Sequence, residues 1–178
     1  MKNFGFAGYD TVVGLGTNGK MDEFSAAMGI TGLDAIDAIL AANYSNYLLY
    51  LTRLSSIPGL KITPFDDKER GNYQYIVVEV DERETNLSRD ELIQVLHAER
   101  ILARRYFYPG CHRMEPYRSL YSSGAPFLPN TEDVCARVLV LPTGSAIGST
   151  EIEVVCDTIA VAIQNAATVR QQLQRSLR

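Results

Sequence analysis

The sequence predicts an α+β fold, a short mixed or antiparallel sheet with helices on one face, preceded by a long helix. Three observations predict it. Apolar and aromatic residues recur at spacings of three or four from Leu33 through Ile36, Leu40, Tyr44, Tyr47 and Leu51 to Leu54, which places them on one helix face. The runs Tyr73–Val80, Ile101–Tyr108 and Val138–Leu141 are rich in β-branched and other apolar residues, as strands are. Helix-start residues stand at Ser88, with Glu91 three positions later, and at Ser149 or Thr150.

The elements follow in order. Residues 4–16 carry aromatic and β-branched residues between glycines and read as short strand pieces or an extended loop. A helix from about Asp22 to Leu54 comes next, capped by Asn18 or Asp22, with Gly29 and Gly32 as the positions where a bend could sit. Pro58-Gly59 ends it. At this length the helix joins two structural units rather than sitting inside one. Leu60–Thr63 is a short strand, residues 66–71 a charged turn, and Tyr73–Val80 a central strand. A helix over about Arg89–Glu99 buries Leu92, Val95 and Leu96. Ile101–Tyr108 is a strand closed by Pro109-Gly110, and a Pro- and Ser-rich loop covers roughly 115–129. Thr131 caps a helix over about 131–137, and Val138–Leu141 is a strand ended by Pro142. The last helix runs over about 150–175, its polar end overhanging the body.

Composition narrows the function. A length of 178 residues suits one domain, or a small domain with a piece of another. A chain of this size buries about 70% of the surface it exposes when unfolded. Hydrophobic content of 46% and charge content of 21% are those of a folded chain. A net charge of -4 gives no support to a nucleic-acid partner. No apolar run reaches the ~18–20 residues of a membrane span, and the first residues lack the apolar core of a secretory signal. Cys111, Cys135 and Cys156 have unrelated spacings, and His97 and His112 are too few for a His-rich metal site. A cytoplasmic protein with reduced thiols, without metal, nucleic acid or membrane, is the expectation. Gly14–Gly19 begins like a dinucleotide fingerprint, but only a short Gly-flanked strand leads into it.

Three segments carry a resemblance. They are Asn3-Phe4-Gly5-Phe6 with Gly16–Glu23 and Ala26–Gly29; Tyr106–Arg113 with Pro116-Tyr117; and Val138–Gly144 before a Ser/Thr-Glu helix start. In order and spacing they resemble the DegT/DnrJ/StrS family of sugar aminotransferases, enzymes of fold type I that depend on pyridoxal phosphate (PLP). The resemblance implies residues 1–54 as a remnant of the large PLP-binding domain with a long connecting helix, and 55–178 as the small α+β C-terminal domain. It implies transfer of an amino group from an amino acid such as glutamate to a keto-sugar carried on a nucleotide. A homodimer is implied, or a complementing polypeptide that carries the other half.

In the family the Schiff-base lysine lies upstream of the Phe4-Gly5-Phe6 segment, so the expectation is a C-terminal portion without it. The lysines present fit that expectation: Lys61 and Lys68 lie in or beside a charged turn, Lys2 is at the terminus, and Lys20 falls in a motif where the family tolerates Lys or Arg as a non-catalytic residue. No catalytic residue is therefore assigned, and the chain alone is expected to be inactive. Asn18, by resemblance, reaches the cofactor phosphate of the neighbouring subunit; on the residues alone it is a turn or cap residue. His112 follows a Pro-Gly turn and by resemblance lies at the site mouth near the sugar substrate. Lys20 either meets a substrate phosphate or carboxylate or is solvated. Cys111 beside His112 suggests a thiol nucleophile, but adjacent residues on an extended segment point apart. The face Tyr44, Tyr47, Tyr50 is core, or an apolar patch left uncovered. A non-catalytic interaction or ligand-binding module derived from the family is the alternative.

Overall fold

A computed structural model describes residues 3–66, 68–121 and 127–176. The chain forms two compact units, Met1–Ala38 and Ile39–Arg178. The division falls within the second helix.

In the first unit the segment expected as strand pieces is a folded-back loop. Its only pairings, among the described residues, are the single bridges Asn3–Asn18 and Phe6–Val12. The Phe4 N–H donates to the Thr17 carbonyl at 3.1 Å and the Val13 N–H to the Gly5 carbonyl at 3.0 Å. The fold-back demands glycine at position 5: its φ is +82°, and a Cβ there would lie 1.9 Å from the Gly14 carbonyl oxygen. Helix α1, Glu23–Asp34, follows. Asp22 caps it, accepting from the Ser25 N–H at 2.9 Å and the Ser25 hydroxyl at 2.7 Å; Asn18 does not.

The single helix expected over 22–54 is two. Helix α2, Ile36–Leu54, begins after Ala35, which caps α1 by donating to Thr31 and Leu33. Gly29 and Gly32 lie inside α1 without breaking it; their cost is entropic. No residue of α1 is buried, and Leu33, expected on the buried face, is exposed.

The second unit is built on a four-stranded antiparallel sheet: β1 Leu60–Ile62, β2 Ile76–Val80, β3 Arg104–Arg105 and β4 Val138–Leu141, in the order β1-β2-β4-β3. Register sets Ile76 opposite Leu141 and Val78 opposite Leu139, so the apolar alternates of the two inner strands share one face. That face packs with Tyr50 and Leu54 of α2, Leu92 and Leu96 of α4 (Arg89–Ala98), and Ile152 and Ile159 of α6 (Ser149–Gln164). Leu139 is fully buried, worth about 1.5–3 kcal/mol relative to an exposed position.

Single turn α3 (Glu82–Thr85), α5 (Pro129–Arg137) and α7 (Ala166–Ser176) complete the unit. The Ser88–Glu91 capping box forms as expected. Ile93 is buried in addition to Leu92 and Leu96, whereas Val95 is only partly so.

Five further expectations are corrected. The strand over 101–108 shrinks to β3, because the Ile101 N–H returns to Leu96 at 2.8 Å and Phe107 has a φ of 47°. Helix α5 starts at Pro129, not Thr131; proline at the first helical position has its φ preset and lacks the N–H that would go unpaired. The final helix is two, bent by 89° between α6 and α7. At the break the Asn165 amide donates to the Val161 carbonyl at 2.9 Å, competing with the helix for that acceptor. Gly148 rather than Ser149 or Thr150 caps α6, its N–H donating to Glu151 at 2.9 Å. The polar end is also not free over its whole length, since Val169 packs on the core and Arg170 pairs with Glu91 and Glu82.

Helix α2 is tied to the turn after β4. The Tyr50 hydroxyl donates to the Pro142 carbonyl at 2.9 Å, and the Asn46 amide donates to the Gly144 and Ile147 carbonyls at 3.2 Å each. Tyr47 and Tyr50 are therefore buried, and Tyr44 meets Tyr73 in a tilted ring pair with centroids 4.8 Å apart. Tyr47 and Tyr50 thus take the core reading of that face, while exposed apolar side chains lie on α1, at Phe24, Met28, Ile30 and Leu33.

Candidate functional site

Asn18 and Lys20 lie in the first unit and His112 in the second. Asn18 sits on the exposed closing arm of the fold-back loop, four residues ahead of the Asp22 cap. Its backbone is held by the bridge to Asn3, and its side-chain amide has no hydrogen-bond partner among the described residues. An amide N–H so presented suits an anionic oxygen. Lys20 is exposed, its Nζ 5.8 Å from the centre of the Phe4 ring.

His112 belongs to a 3-10 turn, Cys111–Arg113, entered through Tyr108-Pro109 in the cis form and Gly110 with φ +96°. A Cβ at Gly110 would lie 2.9–3.0 Å from the His112 ring, so the turn closes on the imidazole only with glycine there. His112 is buried, and its Nε2 lies 3.4 Å from Glu132 Oε1 on α5. The same carboxylate accepts from Arg113 at 2.6 Å. The Arg113 hydrogen bond, opposed by desolvation and aided by His112, holds the Glu132 carboxyl below the usual carboxylate range. Cys111 is exposed while His112 is buried, so the two do not form a thiol–imidazole pair. Burial pushes the Cys156 thiol up to about 11, as befits an inert core residue.

Glu132 was not singled out from the sequence, nor was Arg89, which is 2% exposed beneath this region. Of the adjacent pair Arg104 and Arg105, Arg105 pairs with Asp90 at 2.8 Å. His97 is structural, its Nε2 2.7 Å from the Ala103 carbonyl.

A PLP site needs a lysine in a desolvated pocket, a carboxylate for the pyridine nitrogen and donors for the phosphate. Lys20, Lys61 and Lys68 are all exposed. Asn18 fits the phosphate role, but the described residues do not fit the cofactor as a whole. Among them, too, no single helix is long and apolar enough to cross a membrane.

The sequence model of the DegT/DnrJ/EryC1/StrS aminotransferase family matches residues 1–160. The chain is 37% identical over 142 residues to dTDP-4-amino-4,6-dideoxy-D-glucose transaminase of Escherichia coli, covering 80% of this chain and 38% of the relative. It is 31% identical over 159 residues to the enzyme of the same name from Shigella dysenteriae, covering 89% of this chain and 42% of the relative. Among solved structures, DesI in the presence of its TDP-sugar product superposes with a TM-score of 0.85 at 40% identity, over 97% of this chain and 43% of DesI. PseC of Helicobacter pylori, an aminotransferase involved in the biosynthesis of pseudoaminic acid, shares the fold, with a TM-score of 0.80 at 16% identity over 92% of this chain and 44% of its own. The chain thus spans about two-fifths of the length of the curated relatives it matches.

Proposed function

Since the chain belongs to the DegT/DnrJ/EryC1/StrS aminotransferase family, whose enzymes depend on PLP, we propose that it forms part of a nucleotide-sugar aminotransferase. The complete enzyme moves an amino group from an amino acid such as glutamate to a keto-sugar. The observation that carries this reading is the 40% identity to DesI, solved with its TDP-sugar product, over 97% of this chain. The cofactor supplies carbanion stabilisation when bound, and the lysine that holds it comes from outside these 178 residues.

In this reading the chain contributes binding and orientation. Asn18 donates its amide to the cofactor phosphate of a neighbouring subunit. His112, with Lys20, contacts the sugar nucleotide. Glu132 sets which ring nitrogen of His112 carries the proton, since its carboxylate accepts at Nε2. By itself the chain is inactive, and it works as a dimer or with a complementing polypeptide.

The test is visible absorbance of protein-bound PLP that borohydride removes, recorded for the chain alone and after mixing with a polypeptide matching the other three-fifths of its relatives. We expect the band only in the mixture, with Asn18→Ala weakening PLP retention there. A band from the chain alone overturns the assignment of the lysine to another polypeptide. No band in either sample overturns the enzymatic reading in favour of a non-catalytic module.

A further inference from the structure

Arg89 opens helix α4, a place where a basic side chain opposes the helix dipole and ordinarily points to water. Here its side chain is 1% exposed. Its Nη1 donates to two backbone carbonyls, Cys135 at 2.9 Å and Val138 at 2.6 Å. Its Nε donates to Asp90 at 2.8 Å. Its guanidinium carbon lies 5.1 Å from the centre of the Tyr108 ring. Arg105 completes the arrangement, donating to the same Asp90 oxygen at 2.8 Å and lying 4.8 Å from the same ring. Tyr108 is thus held by two cations tied through one carboxylate.

These contacts end on the two segments that build the surroundings of His112. Tyr108 immediately precedes the Pro109-Gly110 turn that presents the imidazole. Cys135 lies on α5 one turn beyond Glu132, the carboxylate His112 meets. One buried guanidinium therefore fixes both the segment carrying the imidazole and the helix carrying its acceptor. A buried cation is costly unless its donors are met, which explains why so many acceptors converge on it. Helix packing alone would not demand a charge at this position.

We propose that Arg89, clasped with Asp90 and Arg105 about Tyr108, is a positioning residue for His112. It sets the separation of imidazole and Glu132 rather than touching substrate. The proposal rests on the reading of His112 as a site residue, but its test reads the imidazole directly and is independent of cofactor binding.

The 178-residue chain has two histidines, so long-range proton–nitrogen spectra in mildly alkaline buffer report each ring. His97, hydrogen-bonded to Ala103 at the far end of α4, is the internal control. Glu132→Gln sets the scale, by removing the carboxylate at His112. Lysine cannot reproduce the planar fork that reaches two carbonyls and a carboxylate. In Arg89→Lys we expect the two ring-nitrogen signals of His112 to move toward each other, as a fixed tautomer gives way to exchange, while His97 keeps its wild-type signals. Unchanged His112 signals overturn the proposal. If His97 moves as well in Arg89→Lys, the decision passes to Tyr108→Leu, which keeps every hydrogen bond of Arg89. There, movement of His112 alone supports the clasp, and no movement, or movement of both rings, overturns it.

Discussion

Ser88→Ala removes the hydroxyl that meets the Glu91 N–H, and is expected to cost about 1 kcal/mol in urea unfolding, the ordinary value of a lost N-cap. Gly5→Ala acts differently. Its added carbon meets a backbone oxygen at 1.9 Å, so the arm that carries Asn18 cannot keep its pairing with Asn3. We expect faster amide exchange at Phe4 and Val13, with no change at β2 or β4. The contrast also shows which residues the sequence discloses. Ser88 and Glu91 stand three apart, so their partnership is written in local spacing. His112 and Glu132 are twenty positions apart, and Arg89 reaches a carbonyl forty-six positions away. Nothing local distinguishes Arg89 from a surface arginine. Asn18, Lys20 and His112 entered as candidates through family resemblance rather than through their own patterns.

At the scale of elements, the α4–α7 contact depends on pH. Burial raises the Glu91 pKa, but hydrogen bonds from Ser88 and Arg170 outweigh it, and the carboxyl titrates below its ordinary value. Its folded pKa lies below its unfolded one, so its stabilisation is present above the unfolded value near ~4.3 and is lost as pH falls through the folded one. Glu91→Gln should therefore unfold more easily than wild type at neutral pH, and the gap should close in acid. A gap independent of pH would contradict this. In the sheet, Leu139→Ala removes the centre of the buried face and should cost about 2–5 kcal/mol in denaturant unfolding. Strands β2 and β4 were legible because apolar runs end at clear punctuation, Pro142 above all. Strand β3 was overestimated because apolar Ile101 and Ala103 enter the core from a turn rather than from a strand. The Asn165 break was missed because a single asparagine inside a long helical pattern looks harmless until its amide takes a helix carbonyl.

For the whole molecule, the two units differ in what holds them. The second has a core of fully buried side chains, including Tyr50, Leu54, Ile76 and Leu139. Helix α1 has none, and its apolar residues lie on every side rather than on a stripe. A helix of that character is ordinarily covered by other protein. In the chain alone we expect amides of residues 23–34 to exchange with little protection, while those of β2 and β4 exchange only on global unfolding. Equal protection in the two regions would refute this. Adding the complementing polypeptide proposed above should raise protection in α1 selectively.

The strand order has a consequence in time. Strand β4 lies between β2 and β3 but is the last of the four to be made. As a ribosome extends the chain, β1 can pair with β2 early, yet one apolar edge of β2 stays open until Val138–Leu141 emerge. Open strand edges recruit other chains, so the hazard for this protein is greatest during that interval of synthesis. The keystone strand also brings the turn that Asn46 and Tyr50 have been waiting to bind, so sheet closure and the seating of α2 arrive as one event.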